Sequence, residues 1–120
     1  MISSVFVYGT LMPGQLRWPH LEPYASGPPT RDAIRGTLLD TGLGYPGLVR
    51  EGESGWVEGF IVPLGLEGLD EALTLLDGIE GTDVGLYRRM TTRARSGLPC
   101  WTYEFLHPSA AMLDLEGRWP

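Results

Sequence analysis

The chain opens on an uninterrupted run of β-branched and aromatic residues, Val5-Phe6-Val7-Tyr8, that stops at Gly9. A strand with one wet face alternates apolar and polar positions, so this run predicts a short strand over residues 4–9 buried on both faces. Ile34-Arg35-Gly36-Thr37-Leu38-Leu39 predicts a second strand. Residues 40–47, rich in glycine and holding Pro46, form a turn into a short third strand at Leu48-Val49-Arg50. Trp56-Val57-Glu58-Gly59-Phe60-Ile61-Val62 reads as a fourth, and its central Gly59 marks a bulge, a tight bend or a close approach of backbones. From Pro13 to Pro29 repeated prolines predict a long loop, with room for a helical turn near Gln15 to Leu21.

The hydrophobic period changes once. Over Leu69 to Glu80 apolar residues fall at 69, 72, 73, 76 and 79, the spacing of an amphipathic helix. Period-two patterning then returns in Tyr87 to Ala94 and Cys100 to Phe105, a hairpin joined by the polar turn Arg95 to Pro99, with Trp101, Tyr103 and Phe105 on one face. Beyond His107 the pattern predicts nothing except a short apolar patch over residues 110–115.

At 120 residues the chain is one domain, 1–120, with space for a core and a single pocket. A formal net charge of -6, with no long basic run, argues against nucleic acid as a partner. That acidic excess attracts cationic amines only weakly, because salt screens such fields within about 10 Å. No stretch approaches the ~20 apolar residues of a membrane span, and the N-terminus lacks the features of a signal peptide, so a cytoplasmic protein with no membrane partner is expected. The single cysteine, Cys100, excludes an internal disulfide and fits a reducing compartment.

Most catalytic constellations are missing from the inventory. His20 and His107 stand apart, so no metal site is expected. Neither a G-x-S-x-G elbow nor a phosphate-binding G-x-x-x-x-G-K-[ST] loop occurs. Cys100, between Pro99 and Trp101, reads as a small buried residue and not as a nucleophile. Glu80 is the acid of interest: at i+4 from Leu76 and i+7 from Leu73, it projects along the buried face if the helix persists. There, burial and the negative pole of the helix both favour the protonated carboxyl and suit it to general acid–base work. The competing reading has the helix fray at Gly78 and Gly81 cap it, leaving Glu80 in solvent. Tyr8-Gly9-Thr10-Leu11 likewise reads two ways: an ordinary strand exit with Gly9 at positive φ, or a turn whose successive N–H groups converge on an anion or a carbonyl oxygen.

Tyr8-Gly9-Thr10-Leu11, Gly36-Thr37-Leu38, Tyr45-Pro46-Gly47, Val57-Glu58-Gly59, Leu76-Asp77-Gly78-Ile79-Glu80-Gly81 and Tyr87-Arg88-Arg89, in that order, resemble the gamma-glutamylcyclotransferase-like superfamily, above all its small gamma-glutamylamine cyclotransferase and avirulence-induced members. The resemblance covers about Val5 to Phe105. It implies an α+β fold: a small mixed, mostly antiparallel β-barrel, or a curled mixed sheet, flanked by one main helix and short helices, with one pocket at the barrel mouth. It also implies a cofactor-independent reaction on a small-molecule gamma-glutamyl substrate, whose own α-amine attacks its γ-carbonyl to give 5-oxoproline and a free amine. Position by position, Glu80 matches the catalytic glutamate, and Tyr8, Gly9, Thr10 and Leu11 match the loop whose amides hold the glutamyl moiety. Tyr87 and Arg89 match a tyrosine and an arginine after the helix. Those two share a strand face, which is either a pocket wall or a core tyrosine beside a structural ion pair. Trp18-Pro19-His20 departs from the family pattern, which leaves substrate choice open, and relatives specific for glutathione are longer. A non-catalytic module binding a small carboxylate in the same cavity is the rival expectation.

Overall fold

The computed structural model describes residues 1–50 and 55–120. Its strands are β1 (Ser4–Val7), β2 (Thr30–Arg35), β3 (Thr37–Asp40), β4 (Pro46–Val49), β5 (Trp56–Pro63), β6 (Tyr87–Arg93) and β7 (Pro99–Phe105), and its helices are α1 (Trp18–Leu21) and α2 (Leu69–Glu80). Five strands form one sheet in the order β2-β5-β1-β7-β6, antiparallel throughout except for the parallel pair β1 and β7, while β3 and β4 form a separate hairpin.

The continuous apolar run of β1 has a direct cause: core lies on both sides of it. Val5 and Val7 face one cluster with Leu69, Ala72, Leu73 and Leu76 of α2. Phe6 and Tyr8, on the alternate face, join Leu38 and Leu48 of the β3–β4 hairpin. The sheet is thus sandwiched between α2 and the hairpin. In β5, Gly59 serves close approach: a Cβ there would collide with the carbonyl oxygen of Val7 and stand 2.8 Å from the Phe6 ring.

Three sequence expectations need correction. The sheet curls but does not close into a barrel. Its edges meet at one corner only, where the Arg95 N–H donates to the Ala33 carbonyl at 2.8 Å and the Ser96 hydroxyl to the Asp32 carboxylate, and no ladder joins β2 to β6. The single strand expected over residues 34–39 is two, because the chain leaves the five-stranded sheet at Gly36, where a Cβ would stand 2.7 Å from Leu48 Cδ1. Residues 13–29 hold α1, inside the span where a helical turn is expected, and a further 3₁₀ turn at Glu22–Tyr24, anchored by the fully buried Leu21. The tail is structural: Leu115 N–H donates to Leu38 O, Asp40 N–H to Leu113 O and Glu58 N–H to Gly117 O, each at 2.8 Å. Pairing through backbone groups leaves little side-chain pattern to read. Among the described residues no helix is long and apolar enough to cross a membrane.

Candidate active site

The C-terminal end of β1 is pinned before it turns. The Tyr8 hydroxyl donates to the Tyr103 carbonyl at 2.7 Å and accepts the Leu48 N–H at 3.4 Å, so its side chain ties β1 to β7 and β4 while its backbone lines a cleft. The chain then reverses, with the Met12 N–H donating to the Gly9 carbonyl at 3.0 Å. This i to i+3 closure leaves the intervening amides free. Among the described residues, the N–H groups of Gly9, Thr10 and Leu11 have no acceptor in the protein, although Gly9 and Leu11 are buried. Buried donors without partners are costly, and a run of them in a cleft is a receptor for an oxygen-rich group. Gly9 is at ordinary φ, contrary to the strand-exit reading. Its lack of a side chain instead admits Pro46, whose Cγ and Cδ would lie 2.7 and 2.8 Å from a Cβ.

The cleft that the donor turn lines is also lined by Glu80, the last residue of α2. The helix does not fray at Gly78. It continues to Glu80 because Leu69, Ala72, Leu73 and Leu76 bury one face, and it stops at Gly81, whose left-handed conformation (φ 70°) glycine adopts without strain. Glu80 is half-buried and, among the described residues, has no hydrogen-bond or ion-pair partner. Burial pushes its carboxyl up from the ordinary 4.5 to about 7, against the opposing pull of the Arg17 guanidinium. At neutral pH such a group is divided between acid and base.

Tyr87, Tyr45, Pro46, Tyr103 and Arg17 complete the walls of a narrow cleft whose empty space, open mouth included, is about 360 Å³. The Tyr87 hydroxyl donates to the Pro46 carbonyl at 2.6 Å, and its ring packs against Tyr45 and Phe105 with centroids 6.0 and 5.3 Å apart. Burial raises Tyr8, Tyr87 and Tyr103 above the ordinary phenol range, so all three stay neutral donors.

Arg89 does not line this cleft. Although it shares a strand face with Tyr87, it lies two residues further along β6, where its Nε reaches Asp77 Oδ1 at 3.0 Å and its guanidinium covers the Trp101 ring at 4.5 Å. The Tyr103 hydroxyl donates to the same Asp77 oxygen at 2.7 Å. Asp77 is one turn before Glu80, so Arg89 and Tyr103 clamp the last turn of α2 and set the angle at which Glu80 enters the cleft. Arg89→Met is expected to lower stability by about 1 to 2 kcal/mol, the range for a partly exposed charge-assisted hydrogen bond with stacking. It should also reduce catalytic efficiency far less than loss of Glu80 does. Denaturant unfolding beside a turnover assay checks both, and a loss of activity equal to that of the Glu80 variant would make Arg89 part of the chemistry.

The cleft lining includes no nucleophilic thiol. Cys100 is fully buried in the core on the hairpin side, and burial pushes its thiol up to about 11. Among the described residues no cluster of His, Cys, Asp or Glu could hold a metal ion. The sequence reading missed Arg17 and Tyr103 as wall residues and gave Tyr45-Pro46-Gly47 no role. An arginine in an irregular loop carries no periodic signal, and Tyr103 was legible only as one member of an aromatic strand face.

The class is thus a small open-sheet α+β domain in which an unpartnered carboxyl and a turn of free amide donors line one cleft. The chain belongs to the gamma-glutamyl cyclotransferase, AIG2-like family, whose model matches residues 5–120. Among solved structures it is similar to an AIG2-like protein from Mus musculus at 20% identity and a TM-score of 0.72, covering 97% of this chain and 87% of that one. It is also similar to YkqA from Bacillus subtilis at 21% identity and a TM-score of 0.72, covering 99% of this chain but only 40% of YkqA. Protein ytfP from Escherichia coli matches at 25% identity and a TM-score of 0.60, over 97% and 94% of the two chains. A search of curated proteins finds no match.

Proposed function

We propose that this protein is a gamma-glutamyl amide cyclotransferase that converts a gamma-glutamyl amine or amino acid to 5-oxoproline and the free amine, with Glu80 as the proton shuttle. The observation that carries the reading is Glu80 itself: an unpartnered carboxyl with a pKa of about 7, lining the same cleft as the free amides of Gly9, Thr10 and Leu11. Cyclisation needs no protein nucleophile, which agrees with a cleft that among the described residues is lined by no cysteine or serine. The ionised Glu80 takes a proton from the substrate's α-ammonium. The freed amine attacks the γ-carbonyl carbon, a carbon–nitrogen bond closes the five-membered ring, and negative charge collects on the carbonyl oxygen. Amide donors aimed at that oxygen, or at the α-carboxylate, hold the chain in the ring-closing conformer. The protonated Glu80 then gives its proton to the departing nitrogen as the original amide bond breaks, and the second proton of the new ring nitrogen passes through the same carboxyl to the freed amine, which leaves as its ammonium. One carboxyl returns to its starting state, and atoms and charge balance.

The test is incubation with a panel of gamma-glutamyl amino acids and amines, with 5-oxoproline as the readout. Turnover should rise with pH, because the base form begins the reaction: kcat/KM climbs about tenfold per pH unit below 7 and levels above it. A limb centred near 4.5, the ordinary carboxyl value, would remove Glu80 from the role. Binding without product across the panel would favour a non-catalytic module.

A further inference from the structure

Arg17 is the one cation lining the cleft among the described residues, and the family resemblance assigned it nothing. It lies five residues beyond the donor turn and is tied to it, since its N–H donates to the Thr10 carbonyl at 2.8 Å. Its guanidinium lies 5.7 Å from the centroid of the Tyr45 ring, which also lines the cleft. Among the described residues it makes no ion pair, whereas Arg88, Arg89 and Arg95 each hold a carboxylate. A half-buried guanidinium held over an aromatic face, with its hydrogen-bonding fork unspent, is preorganised for an incoming carboxylate.

Every gamma-glutamyl compound brings one carboxylate, on the glutamyl α-carbon, and some bring a second on the leaving amine. The two demand different places. The glutamyl part is invariant and suits the deep, fixed donors, of which Gly9 and Leu11 are buried. The leaving amine varies and must extend away from those donors, along a cleft that the half-buried Arg17 also lines. The nitrogen that Glu80 protonates would, in an amino acid, be two bonds from that second carboxylate, and Arg17 is the charge that acts on Glu80.

We infer that Arg17 reads the carboxylate of the leaving group, and hence that the preferred substrates are gamma-glutamyl amino acids and not plain or cationic gamma-glutamyl amines. This rests on the cyclotransferase reading above. The local guanidinium thereby outweighs the weak long-range pull of the chain's net charge of -6 on cationic amines.

The experiment compares gamma-glutamylalanine with gamma-glutamylethylamine, which share the glutamyl moiety and differ by the leaving carboxylate. In the wild type the ratio of their kcat/KM values should favour the first by about tenfold to hundredfold, the range of a charge-assisted hydrogen bond. Arg17→Met should collapse that ratio toward one, and Arg17→Lys, which keeps the charge and loses the fork, should retain part of it. A wild-type ratio near one overturns the inference. So does an Arg17→Met variant in which both substrates fall together, since that outcome puts the shared α-carboxylate on Arg17. Thermal unfolding of each variant separates misfolding from lost recognition, with Arg17→Lys carrying the test should Arg17→Met unfold. If the wild type makes no 5-oxoproline, the cyclotransferase reading fails by itself. Calorimetric binding of the same two compounds to wild type then decides the matter for Arg17: tighter binding of gamma-glutamylalanine upholds it, and equal binding sinks it.

Discussion

Glu80→Gln should abolish 5-oxoproline formation and at the same time make the protein more stable at pH 8. The loss follows from the reaction: a carboxamide neither removes the α-ammonium proton nor protonates the departing nitrogen, and general acid–base assistance is typically worth about 10²- to 10⁴-fold. The gain follows from linkage. In the unfolded chain the carboxyl ionises near 4.5, but in the fold burial holds its proton until about 7. Between those values the folded state binds more protons than the unfolded one, so stability is fully present below 4.5 and is lost as pH rises through 7. Above 7 the protein carries a half-buried, unpartnered carboxylate, at a cost of up to about 3 kcal/mol. Glutamine has the same shape and no charge to bury. Denaturant midpoints at pH 5 and pH 8 should therefore nearly coincide for wild type and variant at the lower pH and diverge at the higher. Were the variant no more stable at pH 8, Glu80 would not be held out of solvent, and the account of its raised pKa would fail with it.

Gly9→Ala should cost about 10²-fold or more in catalytic efficiency, together with about 1 to 3 kcal/mol of stability, through a clash and not through any lost group. The added Cβ would stand 2.7 Å from Pro46 Cγ, so either the donor turn or the start of β4 must move. Misplacing a substrate-holding group by about 1 Å is enough to cost a hundredfold when the reaction depends on a near-attack geometry. Pro46 also accepts the Tyr87 hydroxyl through its carbonyl, so the shift would spread to the opposite wall. The clashing atoms are the ring carbons Cγ and Cδ, which alanine lacks. Gly9→Ala combined with Pro46→Ala should thus recover much of the lost stability and activity. A double variant no better than the sum of its parts would show that Gly9 matters for another reason.

A large part of the fold is legible in the residues themselves. α2 runs over the residues its apolar period marks, and β5 and the β6–β7 hairpin fall where alternation and turn chemistry place them, because each is specified by neighbours along the chain. The break at Gly36, the open sheet and the tail beside β3 are not legible, since each is decided by backbone groups meeting residues distant in sequence.

The site divides in the same way. Spacing puts Glu80 on the apolar side only of a helix that persists past Gly78 and leaves residues 8–11 as either a strand exit or a donor turn, and the order of the short motifs points to the family. That the helix survives its glycine at 78, and that its last carboxyl lines the same cleft as the free amides of the first loop, are tertiary facts. So are the capture of Arg89 by Asp77 and the seating of Arg17 beside the Tyr45 ring. The chain by itself determined which groups were available for chemistry, because side-chain identity and local period are written along it. Which of those groups were stripped of water, paired or left free was decided only by the packing of α2, the sheet and the β3–β4 hairpin. Burial and distance across the fold are properties that no stretch of sequence possesses alone.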